Sequence, residues 1–230
     1  MLAVVDPHID HMADYLGIAQ ATGAHVAYVF ETHVQADHIS AARQLAAQTG
    51  ARLVMHETAP VSFPFTAVRD NDRVDMGNVS VRVLHTPGHA LEHIALLVGD
   101  GPRGGEPWFA FTGDTLFVGD VGRPDLGGPD AVKQLARQLY HSLFDKLLTL
   151  DDLVEVYPSH FAGSACGRAM SGKPSSTIGF ERRWNQALKA RSEDEFVASV
   201  SADLPSEPED LARIRRVNLG LAEPPVGSAA

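Results

Sequence analysis

The order of apolar segments in this chain predicts a layered α/β fold on three observations. Apolar runs of strand length alternate with stretches of helical periodicity as far as Glu57. From Arg73 the pattern changes to shorter runs, with tight turns and period-two alternation. An amphipathic helix, one more strand and further helical stretches close the chain.

Residues 2–5 (LAVV) read as a strand closed by Asp6-Pro7. From Asp10 to Thr22, Met12, Leu16 and Ala19 recur at roughly helical spacing before Gly23. VAYVF (26–30) is a buried strand, Ile39 to Gln48 a helix ending at Gly50, and ARLVMHE (51–57) another strand. A turn at Met76-Gly77-Asn78 leads into VSVRVLH, and HIALLV (93–98) and WFAFTGD (108–114) add two strands joined by a Gly/Pro-rich connection. Residues 130–148 place Leu135, Leu139, Leu143 and Leu147 on one helical face. LVEVYPSH (153–160) is the last clear strand. Helices are expected over 177–191 and in acidic segments near 192–200 and 207–216, with EPPVGSAA as a frayed tail. With no internal repeat, residues 1–230 read as one domain in which 192–230 form C-terminal helices and tail, whose apolar faces suit a homodimer.

The composition excludes several classes. A single Cys among 230 residues rules out an intrachain disulfide and any multi-cysteine metal site, so a metal must be held by His and carboxylate. With 19 Lys and Arg against 29 Asp and Glu, the net charge of −10 lacks the basic footprint of a nucleic-acid binder. Apolar stretches are too short to span a bilayer, and the start shows no basic flank before an apolar core, so a cytoplasmic protein with no membrane partner is expected.

The chemistry sits at strand ends. His33, Asp37 and His38 follow VAYVF, His89 follows VSVRVLH in TPGH, Asp114 follows WFAF in TGD, and His160 follows LVEVY in PSH. A lone histidine after a strand is usually a cap or a surface residue. Four such strand ends, each with an adjacent turn, can instead converge in the crevice beyond the carboxyl ends of a sheet.

ETHVQADH, TPGH, FTGD and YPSH, in this order, resemble the metallo-β-lactamase superfamily, whose first motif is usually HxHxDH. Within it, GDTLFVGDVGRPDL and GSACGRAMSGKPSSTIGFERRWNQAL resemble the persulfide dioxygenase and rhodanese-associated branch, close to glyoxalase II. The resemblance runs from about Val4 to about Leu219. It implies an αββα sandwich with the site at one edge of two facing sheets. Because a strand or two usually precedes VVDP in the family, the resemblance implies either that this sequence starts late or that the N-terminal strand region is shortened, with that edge missing or supplied by a partner.

One departure discriminates among activities. Gln35 stands where the motif has its second histidine, which removes a nitrogen ligand that a dinuclear zinc hydrolase uses. The mononuclear iron set of persulfide dioxygenases maps onto His33, His89 and Asp114, all present, and two histidines with one carboxylate also suit non-haem Fe(II) independently of any family. The resemblance thus implies a sulfur-metabolism dioxygenase that oxidises a low-molecular-weight thiol persulfide to sulfite. Asp37, His38 and His160 would support the ligands by hydrogen bonding, and Gln35 would either hydrogen-bond a water on the metal or fill the space of the missing ring. Lys173, Arg182 and Arg183 are expected either to meet a carboxylate-bearing thiol such as glutathione or to form a solvated helix face. Asp6 is expected to orient the metal loop, Arg123 and Asp125 to form a local ion pair, and Cys166 to be buried and inert or to meet the persulfide. His85 and His93 are expected to pack locally.

Two other functions compete. A zinc-dependent thioester hydrolase of glyoxalase II type would hold Zn2+ with Asp37, His38, Asp114 and His160. A sulfur carrier or sensor would keep the fold without turnover.

Overall fold

The structure is a computed structural model and describes residues 1–128, 130–164, 166–202, 204 and 210–223. Its first sheet contains β1 (Leu2–Val5), β2 (Val26–Phe30), β3 (Arg52–His56) and β4 (Thr66–Val68), in that spatial order and all parallel. The crossovers carry α1 (Met12–Thr22) and α2 (Ala42–Thr49), each closed by a left-handed glycine, Gly23 and Gly50. The second sheet is built from β5 (Arg73–Met76), β6 (Val79–His85), β7 (Ile94–Asp100), β8 (Pro107–Gly113), β9 (Glu155–Pro158) and β10 (Ser176–Thr177), with spatial order β10-β9-β8-β7-β6-β5. Only β8 and β9 are parallel, because α3 (Val132–His141) lies in the connection between them.

Side-chain alternation assigns the layers. Phe30 and Val54 from the first sheet meet Val81, Val83, Ile94, Leu96 and Val98 from the second, forming the core between the sheets. Val29, Leu53 and Met55 turn the opposite way, toward Leu16 of α1 and Leu45 of α2. Leu84, Ala95, Leu97, Ala110 and Val156 face outward from the second sheet against α3 and α5 (Glu193–Ser201). Helix, sheet, sheet and helix therefore stack as the αββα sandwich that the motifs imply.

Some segments differ from the sequence reading. β4 and β10 have three and two residues, too few to show a period, and were not anticipated. The helix expected over 130–148 runs as α3, then a π-helical stretch at Ser142–Lys146 and a 3-10 turn at Leu147–Thr149. That stretch wraps the TPGH turn: Ser142 Oγ donates to Pro87 O at 2.6 Å and Lys146 Nζ to His85 O at 2.7 Å. The helix expected over 177–191 ends as α4 (Ile178–Trp184), because Asn185 leaves helical geometry, with its side chain bonded to Asp120 O and Glu181.

α6 (Leu211–Asn218) begins later than the expected 207–216, of which 207–209 lie outside the described residues, as does the expected tail from residue 224. The apolar faces of the C-terminal helices are used within the chain. Phe196, Val197 and Val200 of α5 join the α3 core, and Ile214 and Val217 of α6 pack on Ile39. Among the described residues, no helix is long and apolar enough to cross a membrane.

Candidate metal centre

Parallel strands place their carboxyl ends on one side, and the antiparallel β7 starts there. The loops after β1, β2, β6, β8 and β9 and the residue before β7 thus meet at one edge of the sandwich. His33, His89 and Asp114, all buried, come together with their ligand atoms within 4.8 Å of one another. Each is held by its neighbours. His33 Nδ1 pairs with Thr32 Oγ1 at 2.9 Å, and His89 Nδ1 donates to Arg123 O at 3.0 Å, so both rings present Nε2 to the centre. The Asp114 backbone N–H donates to His93 Nε2 at 2.9 Å.

Two glycines make these turns possible. Gly113 has φ +52°, and a Cβ there would lie 2.4 Å from His93 Nε2. Gly88 of TPGH has φ +146°, and a Cβ there would lie 2.4 Å from the Leu139 backbone of α3.

A second cluster adjoins the first. Asp37, His38 and His160 also bring ligand atoms within 4.8 Å of one another. His160 bridges two carboxylates, with Nε2 2.8 Å from Asp37 Oδ2 and Nδ1 2.8 Å from Asp114 Oδ1. Cys166 closes the group, its Sγ donating to Asp37 Oδ2 at 3.8 Å.

The electrostatics follow from burial and pairing. Burial holds the His33 imidazole down to about 3, which keeps it neutral and able to act as a ligand. Burial opposes charge on Asp114, but the His160 charge and hydrogen bond outweigh it and hold the carboxyl far below its usual range. The same competition drives His160 far upward through its two carboxylates. Burial pushes the Cys166 thiol up to about 12, so it stands as a protonated thiol.

The residues fit a cation. Asp114 Oδ2 is buried without a hydrogen-bond partner, as are His38 Nε2 and both amide atoms of Gln35. A buried carboxylate oxygen with no hydrogen bond, 3.4 Å from His89 Nε2 and close to the His33 imidazole, is a donor set that suits a cation.

Other expected residues take supporting positions. Asp6 accepts from Thr32 N at 2.7 Å, Thr32 Oγ1 at 2.8 Å and Ser159 Oγ at 2.8 Å, tying the loops after β2 and β9 together. Arg123 and Asp125 form a bidentate pair at 2.7 and 2.8 Å. The motif at 163–188 clamps the loop after Asp114: buried Glu181 binds Gly119 N, Ser176 Oγ and Asn185 Nδ2, and Asp120 Oδ2 accepts from Arg168 N and Ala169 N. Of the three basic candidates, Arg182 and Arg183 are engaged elsewhere: Arg182 binds Asp152 and the carbonyls of Leu148 and Leu150, and Arg183 lies 3.7 Å from Asp152. Lys173 lies exposed two residues past Ser171, whose backbone bonds Val118 and Ala162 beside this edge.

Sequence reasoning missed Glu92, whose Oε1 accepts from Val34 N at 3.1 Å, and Asn218 of α6, bonded to the backbone of Gln35, His38 and Ser40. Glu92 lies three residues past His89 and was within reach of a motif reading. Nothing local marks Asn218.

A sandwich that gathers His and Asp at the strand ends of both sheets defines a metal-binding protein of metallo-hydrolase type. The chain belongs to the metallo-beta-lactamase superfamily, whose profile matches residues 2–160. It is 31% identical over 209 residues to a hydroxyacylglutathione hydrolase of Methylobacillus flagellatus, covering 89% of this chain and 76% of that one. Its structure resembles a metallo-beta-lactamase from Staphylococcus aureus (TM-score 0.86, 31% identity, 94% of this chain and 64% of that one). It also resembles ETHE1 from Myxococcus xanthus (TM-score 0.81, 30% identity, 95% and 88%). Of mycobacterial relatives 40% identical over 124 residues, such as that of Mycobacterium bovis, the chain spans about half the length, 47%.

Proposed function

We propose that this chain is a non-haem Fe(II) enzyme that oxidises the terminal sulfur of a small thiol persulfide. The persulfide, dioxygen and water give the free thiol, sulfite and two protons; the terminal sulfur loses four electrons, which reduce dioxygen. Gln35 carries the reading. Its amide is fully buried with neither polar atom paired, and it stands where a second imidazole would otherwise strengthen a zinc site. The complete set is then His33, His89 and Asp114, the two-histidine, one-carboxylate combination of Fe(II) oxygenases. Likeness to ETHE1 over 95% of the chain supports the same reading.

Iron held by these three residues would supply the redox chemistry and bring sulfur and dioxygen together. The chain's own groups do the rest. Thr32 and the Arg123 carbonyl fix the two rings, and His93 fixes the backbone of Asp114. His160, hydrogen-bonded at both nitrogens by carboxylates that hold it protonated, keeps Asp37 and Asp114 charged and oriented beside the centre.

Protein prepared anaerobically without added metal is expected to contain about one iron per chain and to consume dioxygen with glutathione persulfide, releasing sulfite. His89→Ala should abolish iron binding; full iron occupancy in that variant would disprove the assignment.

The Asp37, His38 and His160 cluster, with His38 Nε2 buried and unpaired, favours a second reading as a zinc thioester hydrolase. The 31% identity with a hydroxyacylglutathione hydrolase supports it. Zinc content with thioester cleavage and no oxygen uptake would establish that activity instead. A protein without metal or turnover that still binds persulfide would be a carrier.

A further inference from the structure

A cavity of about 270 Å³ adjoins the triad, with His33 and His89 in its wall. Val34, Pro60, Leu91 and Leu135 contribute apolar surface, and the charged groups are Glu92 and Arg215. Glu92 is buried and already committed to the backbone N–H of Val34, next to His33. Arg215 comes from α6, beyond the residues that the superfamily profile matches. It is half-buried, and its Nη1 donates at 2.9 Å to the carbonyl of Leu126, itself part of the cavity wall. That bond positions the guanidinium at the cavity while using one of its five N–H donors.

The ligand this wall selects follows from charge and size. A chain of net charge −10 repels small anions at long range, so an anionic substrate needs a cation at the point of binding. A planar guanidinium fork matches a carboxylate in both shape and charge. A volume of about 270 Å³ lies at the small end of ligand cavities, roughly 300–1,000 Å³, and suits a thiol of small-peptide size rather than one bearing a nucleotide.

We propose that Arg215 is the specificity-determining residue of this site, binding a carboxylate of a small anionic thiol derivative whose sulfur lies toward His33 and His89. The inference rests on reading the triad as a centre of sulfur chemistry, so its test does not depend on turnover.

Calorimetry with S-methylglutathione and its diethyl ester measures the carboxylate contribution directly. The unaltered protein is expected to bind the acid about tenfold more tightly than the ester. Arg215→Met keeps the apolar stem, should weaken acid binding about tenfold and should leave ester binding unchanged; Arg215→Lys should recover part of the loss. The inference is overturned if the unaltered protein binds both compounds equally or binds neither. It is also overturned if Arg215→Met weakens both alike, which would mean that the residue acts by docking α6. Loss of the dioxygenase reading would show separately, as absent oxygen uptake with the acid-over-ester preference retained.

Discussion

A carboxamide offers a metal one weak oxygen where an imidazole offers a strong nitrogen, so under the proposed function the exchange at Gln35 would turn the edge of the sandwich away from zinc. Gln35→His is expected to raise zinc affinity by an order of magnitude or more, measured by competition with a chromogenic chelator; unchanged affinity would refute the role given to Gln35. Two histidines set opposite pH responses in the metal-free protein. Folded His33 takes up its proton only near pH 3, against 6.5 in the unfolded chain. The unfolded state therefore binds more protons between those values, and stability falls as the pH drops through them. His160 is raised instead, so its contribution is complete below about 6.5 and fades as the pH rises above that value. Urea midpoints across this range should peak near neutrality. His33→Asn should make the acid limb shallower, with buried His93 still contributing to it, and His160→Gln should flatten the alkaline limb; a curve unmoved in both variants would contradict the assignment.

At the scale of elements, the metal loop is held from a distance by α6. Asn218 Nδ2 donates to Gln35 O at 3.0 Å and His38 O at 2.8 Å, and its Oδ1 accepts from Ser40 N at 3.0 Å. Asn218→Ala leaves these backbone groups without their partner, at a cost of about 2–3 kcal/mol. The expected outcome is a lower thermal midpoint together with weaker metal binding, since the loop carries His33; intact metal affinity in a destabilised variant would confine Asn218 to folding. Most elements were legible because their apolar spacing is local: β1, β2, β3, β6 and β7 fall close to where the alternation puts them. The π-helical stretch at Ser142–Lys146 was not legible, because its cause is a contact with the TPGH turn more than fifty residues away. Arg182 was misleading for a related reason. A basic residue in a helical motif can meet a substrate or cap a neighbouring segment, and only the position of Leu148 and Leu150 decides between them.

Across the whole molecule, a metal at the triad would join a loop of the first sheet, through His33, to two loops of the second, through His89 and Asp114. Binding only the folded chain, at a free concentration a thousand times Kd, contributes about 4 kcal/mol. Removing it with a chelator should therefore lower the melting temperature by about 10 °C for a chain of this size, as calorimetry would show. An unchanged melting temperature on complete metal removal would argue that the sandwich edge is prearranged without it.

The sequence by itself determined the α/β layering, through periodicity that is local, and the residues able to bind a metal, through His and Asp placed just after strands. It also showed the exchange at Gln35, because a ligand's chemistry is a property of one side chain. The tertiary structure decided what sequence distance conceals. It set His160 between two carboxylates, brought Cys166 to Asp37, and used the 163–188 motif as a clamp on the loop after Asp114. It also carried α6 back to the metal loop and the cavity. Those relations depend on strands of two sheets ending at one edge and on a C-terminal helix returning to it, and no local pattern encodes either.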